Sequence, residues 1–591
     1  MHVKIDKPRR EIISVKIDNV LLAPIGSLTK IDNFSVLDHS VDPVPDSVGK
    51  NAARICEDHF YSEHNCVCDR QSPFCLLAMN FDYDVVIIGG AFSGAATALM
   101  LKRKHPSARV LIIEKTSEFD RKVGESTTEV SSCYMTRVLG LTRHLGHHQI
   151  GKQGLRFWFC KAPDQRFDDC VEIGTRYQSR LQTFQVDRAK LDSHLLERAV
   201  ESGCDLWRPA KVTKCDLNGA NGQTLNAVVD IDERTVRCRW VVDATGRAAM
   251  FSRKLGHFRQ NNEHPINAVW ARFSGVKDWD SYEWRERFPD YAGACGTARS
   301  WSTNHLMGHG WWCWIIPLRG GDVSAGIVYD SRIFKLPEGS SLGERLHAHI
   351  LSNPIGREIF GAARVIEGDV HALSMLPYHS EKVCDDGWAA VGDAAGFLDP
   401  LYSPGLDLCA YTSYYVADLL ACHLRGEDVA PRLRQYNEHY PVMYRFWFEG
   451  LYKDKYYYMG DAELMSAALL LDVGVYYIGL VIPAYKNPER ALLDLPFQGR
   501  PGRIAAAVVK FYQSRLVTLG KRRWATGYHG KNNAGWRELY TGFSPDFSLR
   551  KLMRKGLFRW WKAELTNLRL MFASPARVPA AESSAPAPVE A

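Results

Sequence analysis

The sequence predicts an α/β fold: a doubly wound parallel sheet, an inserted mixed β-sheet domain and a helical C-terminal region. Three observations predict it. A strand–helix–strand unit occupies residues 84–115. Two later strands, within WVVDATGR (240–247) and WAAVGDAAGFLD (388–399), each run into a turn of small residues. Residues 421–573 read mostly as helix, with long aromatic-rich segments.

Composition narrows the class first. The 591 residues suffice for a large core or several domains. Lys and Arg number 74 and Asp and Glu 67, and the net charge of +7 is too small to imply nucleic-acid binding. At 46% hydrophobic and 24% charged, the chain is globular rather than disordered or fibrous. No uninterrupted apolar run reaches the ~18 residues of a membrane span. The opening MHVKIDKPRREII lacks the apolar stretch of a secretory signal. The 15 cysteines are odd in number and scattered, which reads as reduced thiols in the cytoplasm. Only the aromatic supply is skewed, with 16 Trp, 25 Tyr and 25 Phe, and it suits an aromatic-lined cavity or a large core.

Residues 1–78 hold Pro8, Pro24, Pro43 and Pro45 and no sustained periodicity. Cys56, Cys66, Cys68 and Cys75 lie near His59 and His64, but C-x9-C-x-C-x6-C lacks the paired C-x2-C knuckles of a zinc site. The segment therefore reads as a poorly ordered extension without metal. Met79 opens MNFDYDVVIIGG as a domain start would, consistent with an over-extended start codon. The core is expected over 79–420 and the helical region over 421–573. The tail 574–591, SPARVPAAESSAPAPVEA, has a disordered composition.

Within the core, DVVIIGG (84–90) is a buried strand, AATALMLKRKH (95–105) a helix and RVLIIEK (109–115) the next strand. The turn Gly89-Gly90-Ala91-Phe92-Ser93-Gly94 matches GxGxxG at Gly89 and Gly94, with Ala91 at the middle position. The first glycine permits the tight turn and the last permits close helix–sheet packing. Ala91 narrows the approach of backbone to a pyrophosphate. Gly90 and Ser93 belong to the same loop, and the helix N-terminus offers N–H groups to phosphates. Glu114 ends the second strand twenty residues after Gly94, where an acid binds ribose hydroxyls. Strand, loop, helix, strand and acid in this order make a dinucleotide site.

With Asp243 and Gly246 in the first small-residue turn and Gly392 and Asp393 in the second, the sequence resembles flavoproteins of the p-hydroxybenzoate-hydroxylase-like fold. That resemblance implies FAD, with Asp393 on a ribityl hydroxyl. No second strand–glycine loop–helix unit marks a nicotinamide domain, so reduced flavin is expected from a separate flavin reductase. Three further features are Val123-Gly124-Glu125-Ser126, the W-x-W-x-I-P segment Trp312 to Pro317, and Lys152 in GKQGLRFWF. Together they resemble the flavin-dependent halogenases over residues 82–420. The K-x-G-x-x-F context from Lys152 to Phe157 resembles the phenol- and pyrrole-type branch.

What the resemblance implies is specific. FADH2 and O2 give a flavin hydroperoxide, a halide converts it to hypohalous acid, and Lys152 relays the oxidant to an electron-rich arene. Gly124, Glu125 and Ser126 approach the flavin. Trp312 and Trp314 stand between flavin and substrate and disfavour direct hydroxylation. Ser403, Pro404 and Gly405 form the halide loop. Taken as residues alone, Lys152 is equally a surface lysine after a glycine. Trp312 and Trp314 equally fill one face of a strand.

Two departures stand out. Tryptophan halogenases carry Glu where this chain has Tyr402, which argues for a phenol or pyrrole ring that its own heteroatom activates. Pro404 lacks the N–H that would bind halide, as hydroxylases of the same fold often do. The loop thus reads partly as halogenase and partly as monooxygenase. Farther on, SAALLLDVGVYYIGLVIPAY is interrupted by Asp472, Gly474 and Pro483 and reads as a buried helix against the substrate cavity. LRKLMRKGLFRWWK (549–562) is basic and amphipathic, with Leu549, Leu552, Met553, Leu557, Trp560 and Trp561 near one face. It docks on the body, on an anionic membrane surface or on an acidic carrier.

The function expected is FADH2- and O2-dependent halogenation of a phenol or pyrrole, free or carrier-bound, in secondary metabolite biosynthesis. The alternatives are a monooxygenase or dehydrogenase using no halide, and a non-catalytic flavin-binding partner in a biosynthetic assembly.

Overall fold

A computed structural model describes residues 81–540 and 549–572. The N-terminal extension with its Cys and His residues, the Met79 start and the tail from Ser574 lie outside the described residues.

The strand Tyr83–Ile88 is central to the first sheet, and its last four residues are fully buried. It pairs in parallel with Asp232–Asp243 on one side and Val110–Ile113 on the other. Trp388–Ala390 and Asp205–Trp207 extend the sheet outward, also in parallel. The apolar run VLII of Val110–Ile113 fits a strand covered on both faces. The helix Phe92–Lys104 follows the first strand directly and packs between the helices Arg188–Glu201 and Gly405–Leu424. Ile88, Ile113 and Asp243 therefore end side by side. Open α/β sheets bind ligands at such a carboxyl edge.

A second sheet of eight strands has mixed orientation. Its centre is the antiparallel ladder of Ile266–Ser274, Val323–Asp330, Trp311–Pro317 and Thr303–Gly308. Thr303–Gly308 then pairs in parallel with Leu155–Phe159. The alternation of Trp311–Pro317 sorts its side chains. Trp312, Trp314 and Ile316 join one apolar core, and Cys313 and Ile315 the other. Gly326 lies opposite both Trp314 and Trp270. A Cβ there would fall 2.4 Å from the Trp314 ring and 2.5 Å from Trp270 Cβ.

The C-terminal region departs from expectation in three ways. The junction foreseen at 420/421 falls inside the helix Gly405–Leu424, which is buried from Leu406 through Cys422. The region also adds a strand, Arg537–Tyr540, which pairs in parallel with Val171–Thr175 at the edge of the second sheet. The basic helix Leu549–Leu570 turns a narrower face inward than its apolar pattern suggested. Leu552, Gly556, Ala563 and Asn567 are buried, whereas Leu557 and Trp561 are 48% and 57% exposed. Six apolar residues from Leu549 to Trp561 span more of the helix circumference than one packing partner covers.

The segment Ala462–Lys486 is long and apolar enough to cross a membrane by length and composition, but 67% of its most apolar window is buried inside the protein. As expected, this helix lies against a cavity, to which it contributes Leu469, Asp472, Val473 and Tyr476.

Gly326→Ala is expected to lower stability by ~2 kcal/mol in chemical denaturation, within the range for overpacking a core. Gly146→Ala is the control. Its Cβ position has open space within the helix Thr142–His148, so it should be neutral or stabilising.

Candidate active site

A cavity of about 700 Å³ opens at the carboxyl edge of the parallel sheet, a size typical of small-molecule sites. Its floor is the first glycine loop. Gly89 has φ +105°, and a Cβ there would fall 2.4 Å from the Ala244 carbonyl oxygen. A Cβ on Gly94 would fall 1.9 Å from the Gly89 oxygen, so the helix packs on the loop only because residue 94 is glycine. Ala91, the residue capping the helix, lines the cavity with Phe92 and Ser93. No acid occupies the first helical turn, which leaves its N–H groups and dipole available to phosphate.

Glu114 sits on the cavity wall and is tied in place. Its Oε2 accepts from Gly90 N–H at 2.7 Å, and its Oε1 accepts from Thr116 N–H at 3.0 Å and the Thr116 hydroxyl at 2.9 Å. Asp393 lines the cavity, and its carboxylate accepts no hydrogen bond among the described residues. Burial pushes its pKa up, opposed by the charges of Arg188, Lys122 and Arg247. Gly246 also lines the wall. Gly90, Gly94 and Gly392 act behind it. A Cβ on Gly392 would fall 2.2 Å from Ser93 Oγ.

Asp243 corrects the sequence reading. It is fully buried behind the wall, with Oδ1 accepting from Thr245 N–H (3.0 Å) and hydroxyl (2.6 Å) and Oδ2 from Phe251 N–H (2.8 Å). It shapes the 244–247 turn and is not itself on the cavity.

Gly124, Glu125 and Ser126 form the opposite wall. Gly124 has φ +94°, and a Cβ there would fall 2.4 Å from Nη1 of Arg188. Arg188 is the cavity residue that sequence reasoning missed. Asp192 fixes it through Nε at 3.1 Å and Nη2 at 3.2 Å, leaving Nη1 two longer contacts, with the Val123 carbonyl at 3.3 Å and the Gly124 carbonyl at 3.5 Å. No local motif marks it, since it meets the loop 64 residues away only through folding. Glu125 accepts from Arg272 Nη2 at 2.9 Å. Burial nevertheless pushes its pKa up to about 7.

These residues fit FAD. The helix N-terminus and Arg188 supply positive potential for a pyrophosphate, Glu114 retains acceptor capacity for ribose hydroxyls, and Asp393 is an unpaired acceptor for the ribityl chain.

Trp312 and Trp314 line this same cavity. Trp312 Nε1 donates to Tyr456 OH at 2.9 Å, and Tyr456 donates to Asp399 Oδ2 at 3.0 Å. His264 Nε2 lies 2.9 Å from that oxygen. Trp314 Nε1 donates to Ser324 Oγ at 3.2 Å. Their indoles are thus held rigidly.

Lys152 is not a surface residue. It is 3% exposed and lines a second cavity of about 70 Å³. The strand Ile150–Lys152 presents it by pairing with Thr183–Gln185. Its Nζ donates to Ser126 Oγ at 2.8 Å and to the Thr127 carbonyl at 2.7 Å. Burial pushes its pKa down to about 8, with Glu129 and Asp407 favouring the charged form. Glu129 accepts from Tyr477 OH at 2.9 Å. Asp407 accepts from the Thr128 hydroxyl, from Ser131 N–H at 2.9 Å and from Tyr476 OH at 3.2 Å. Burial pushes Asp407 up to about 6. Tyr402 donates to Asp472 Oδ2 at 3.1 Å, so a carboxylate lies just beyond the position where glutamate is missing.

The two cavities meet at two residues. Ser126 lines the large one and hydrogen-bonds Lys152 of the small one, and Pro404 lines both. Trp312 and Trp314 belong to the large cavity only, so the partition expected of them is built by Ser126 and Pro404. The loop at this point is strained. Tyr402 and Ser403 are consecutive non-glycine residues with φ of +70° and +63°. Ser403 N–H bonds the Pro400 carbonyl at 2.9 Å, and the Pro404 carbonyl accepts from Asp407 and Leu408. Gly405 and Leu406 both line the large cavity, and their N–H groups have no acceptor among the described residues. The donor absent at Pro404 is therefore matched by one at Leu406.

The family model described as tryptophan halogenase matches residues 84–179 and 162–447. The flavin-dependent halogenase chlA of Dictyostelium discoideum is 24% identical over 68% of this chain and 70% of its own length. A 1H-pyrrole-2-carbonyl-[peptidyl-carrier protein] brominase of Pseudoalteromonas luteoviolacea is 27% identical over 58% of this chain and 79% of its own. The fold is similar to that of halogenase PltM in complex with phloroglucinol and FAD, with a TM-score of 0.64 and 16% identity over 82% of this chain and 96% of that one.

Arg188→Ala is expected to weaken FAD binding roughly tenfold, as loss of one charge-assisted hydrogen bond does. Titration of the purified protein with FAD, read by flavin fluorescence, measures it.

Proposed function

The chain belongs to the tryptophan halogenase family of flavin-dependent enzymes, with FAD as cofactor, and on that footing we propose that it halogenates a monocyclic phenol or pyrrole in the small cavity. The observation that carries the proposal is the placement of Lys152. It is the one lysine on the wall of that cavity, and its hydrogen bond to Ser126 ties it to the wall of the FAD cavity. The overall change is Ar–H + X⁻ + H⁺ + O₂ + FADH₂ → Ar–X + FAD + 2 H₂O. Reduced FAD and O₂ supply the oxidising equivalents that turn halide into hypohalous acid. A separate flavin reductase is proposed to supply the FADH₂, and the reducing cytoplasm to house the protein.

Glu114, Asp393, Arg188 and the N-terminus of the helix Phe92–Lys104 hold the cofactor. The Gly405 and Leu406 N–H groups receive the halide, because a buried anion needs donors and these two are unspent. Pro404 therefore does not remove the site but moves it one residue along. Trp312 and Trp314 keep the FAD cavity walled by fixed apolar surface, and the Ser126–Pro404 partition keeps an arene away from the cofactor. Lys152 already donates two N–H bonds to Ser126 and Thr127. Its remaining N–H holds the hypohalous acid toward the ring. The arene attacks the halogen, hydroxide leaves, and Glu129 takes the ring proton. Glu129 suits this role because its carboxylate accepts from Tyr477 OH, whereas Asp407 accepts from three donors.

Cavity size bears on the substrate. About 70 Å³ is less than half the ~150 Å³ of an engineered cavity that admits benzene. Any ring enters only with displacement of side chains, and a single ring demands the least. Among the relatives, one is named for a carrier-bound pyrrole and another for tetracycline, and a structural neighbour holds phloroglucinol, so the small volume rather than the names favours a single ring.

The test supplies FAD, a flavin reductase, NADH, O₂ and bromide or chloride with a panel of phenols and pyrroles, read by mass spectrometry. Halogenated product should form and fall at least ~100-fold in Lys152→Ala, as for loss of a group that acts in the transition state. Oxygenated product indifferent to halide would move the protein to the monooxygenase reading. The pH profile carries a sign. The donor form of Lys152 is the protonated one, so halogenation should decline as pH rises through about 8 while FADH₂ oxidation continues.

A further inference from the structure

The helices Gly499–Ala525 and Leu549–Leu570 lie together, joined by the ion pair Arg515–Glu564 at 2.8 Å and by the Phe511 and Trp560 rings at 5.9 Å. Their inner faces are occupied. Tyr512 donates to Asp472 at 2.6 Å, Met553 packs over Gly474, and Gly556 sits on Leu470 and Leu471. Their outer faces are apolar where a surface helix is normally polar. Ile504, Val508 and Phe511 follow i, i+4, i+7 and are 44%, 58% and 58% exposed. Phe558, Trp561, Leu565 and Leu568 continue along the second helix at 60%, 57%, 40% and 53%. A contiguous apolar patch of this kind marks an interaction site.

Charge selects the partner. The two helices carry fourteen Lys and Arg residues against one acid, Glu564. Arg503, Lys521, Arg554, Lys562 and Arg569 are exposed around the apolar row. A second copy of the chain would set this positive surface against itself. A small acidic protein would match the charge, but a row of Phe, Trp, Leu and Ile flanked by cations matches the interface of an anionic bilayer more closely. There rings and aliphatic chains enter the acyl boundary and ammonium and guanidinium groups meet phosphate. We propose that this two-helix face docks in the plane of an anionic membrane surface. The inference does not depend on the halogenase reading. It places lipid one helix layer from the small cavity, since the helix Ala462–Tyr476 carries Leu470 and Leu471 toward Gly556 and Asp472 and Val473 toward the cavity.

Co-sedimentation of the full chain with vesicles tests it. Partition onto phosphatidylcholine–phosphatidylglycerol vesicles should exceed that onto phosphatidylcholine alone by ~10-fold or more and should weaken with salt. Phe558→Glu/Trp561→Glu should lower that partition by about tenfold, as should Arg554→Glu/Lys562→Glu. The altered side chains point outward, so FAD binding and Tm should stay as in the parent. The proposal is overturned by equal partition onto both vesicle types, by no partition, or by partition that these variants leave unchanged. It is also overturned if light scattering shows self-association that Phe558→Glu/Trp561→Glu abolishes. Capture of an acidic carrier protein without vesicle binding overturns it as well.

Discussion

The Lys152 ammonium is 3% exposed, and a charge taken that far from water demands partners on every side. Much of the surrounding structure follows from meeting that demand. Ser126 and the Thr127 carbonyl accept its protons. Glu129 and Asp407 supply the opposing charge, and each then needs donors of its own, which come from Tyr477, Tyr476, Thr128 and Ser131. Tyr476 and Tyr477 belong to the helical segment that walls the small cavity. Thr128 caps, and Ser131 lies within, the short helix Glu129–Cys133 that follows the GES segment. One buried cation thus couples three distant parts of the chain. It also fixes the distance between the two cavities, through its bond to Ser126.

The cofactor cavity obeys a different constraint, the close approach of its wall segments to one another. Glycine appears where a Cβ would collide with main chain or with a functional side chain, at Gly89, Gly94 and Gly124. Gly124 links the two constraints. It admits Arg188 to the wall of the FAD cavity, and two residues later Ser126 reaches Lys152. A substitution at 124 would be felt in both compartments. Around the cavity the acids are held in contrasting states. Glu114 accepts from three donors and keeps a free position, Asp393 accepts from none among the described residues, and Glu125 is buried beside Arg272.

Much of this was readable from the residues. The strand–loop–helix–strand unit, Glu114, the alternation of Trp312 and Trp314 and the cavity-lining helix near 470 all appear where local pattern placed them. Local pattern succeeds there because the signal and the structure span the same few residues. It fails where function is assembled across the chain. Asp243 was misjudged because an acid after a strand can face inward as easily as outward, and only the positions of Thr245 and Phe251 decide. Arg188 and Glu129 carried no motif, and their neighbours at the site come from other segments. The partner of Leu557 and Trp561 was not legible, because the periodicity of a helix shows where apolar residues lie but not how wide a face its neighbour covers.

The parallel pairing of Arg537–Tyr540 with Val171–Thr175 has a consequence for how the protein is made. The partner strand arrives more than three hundred residues after the one it covers. Until then, a nascent chain carries Val171–Thr175 as an open sheet edge, with its backbone donors and acceptors unmatched. The second sheet gains this edge only once residues 537–540 have been made, and the contact is among the longest-range in the chain. A ribosome stalled before residue 537 would display an exposed edge strand to every other unfinished copy nearby, so chaperone demand should persist until Arg537–Tyr540 has emerged.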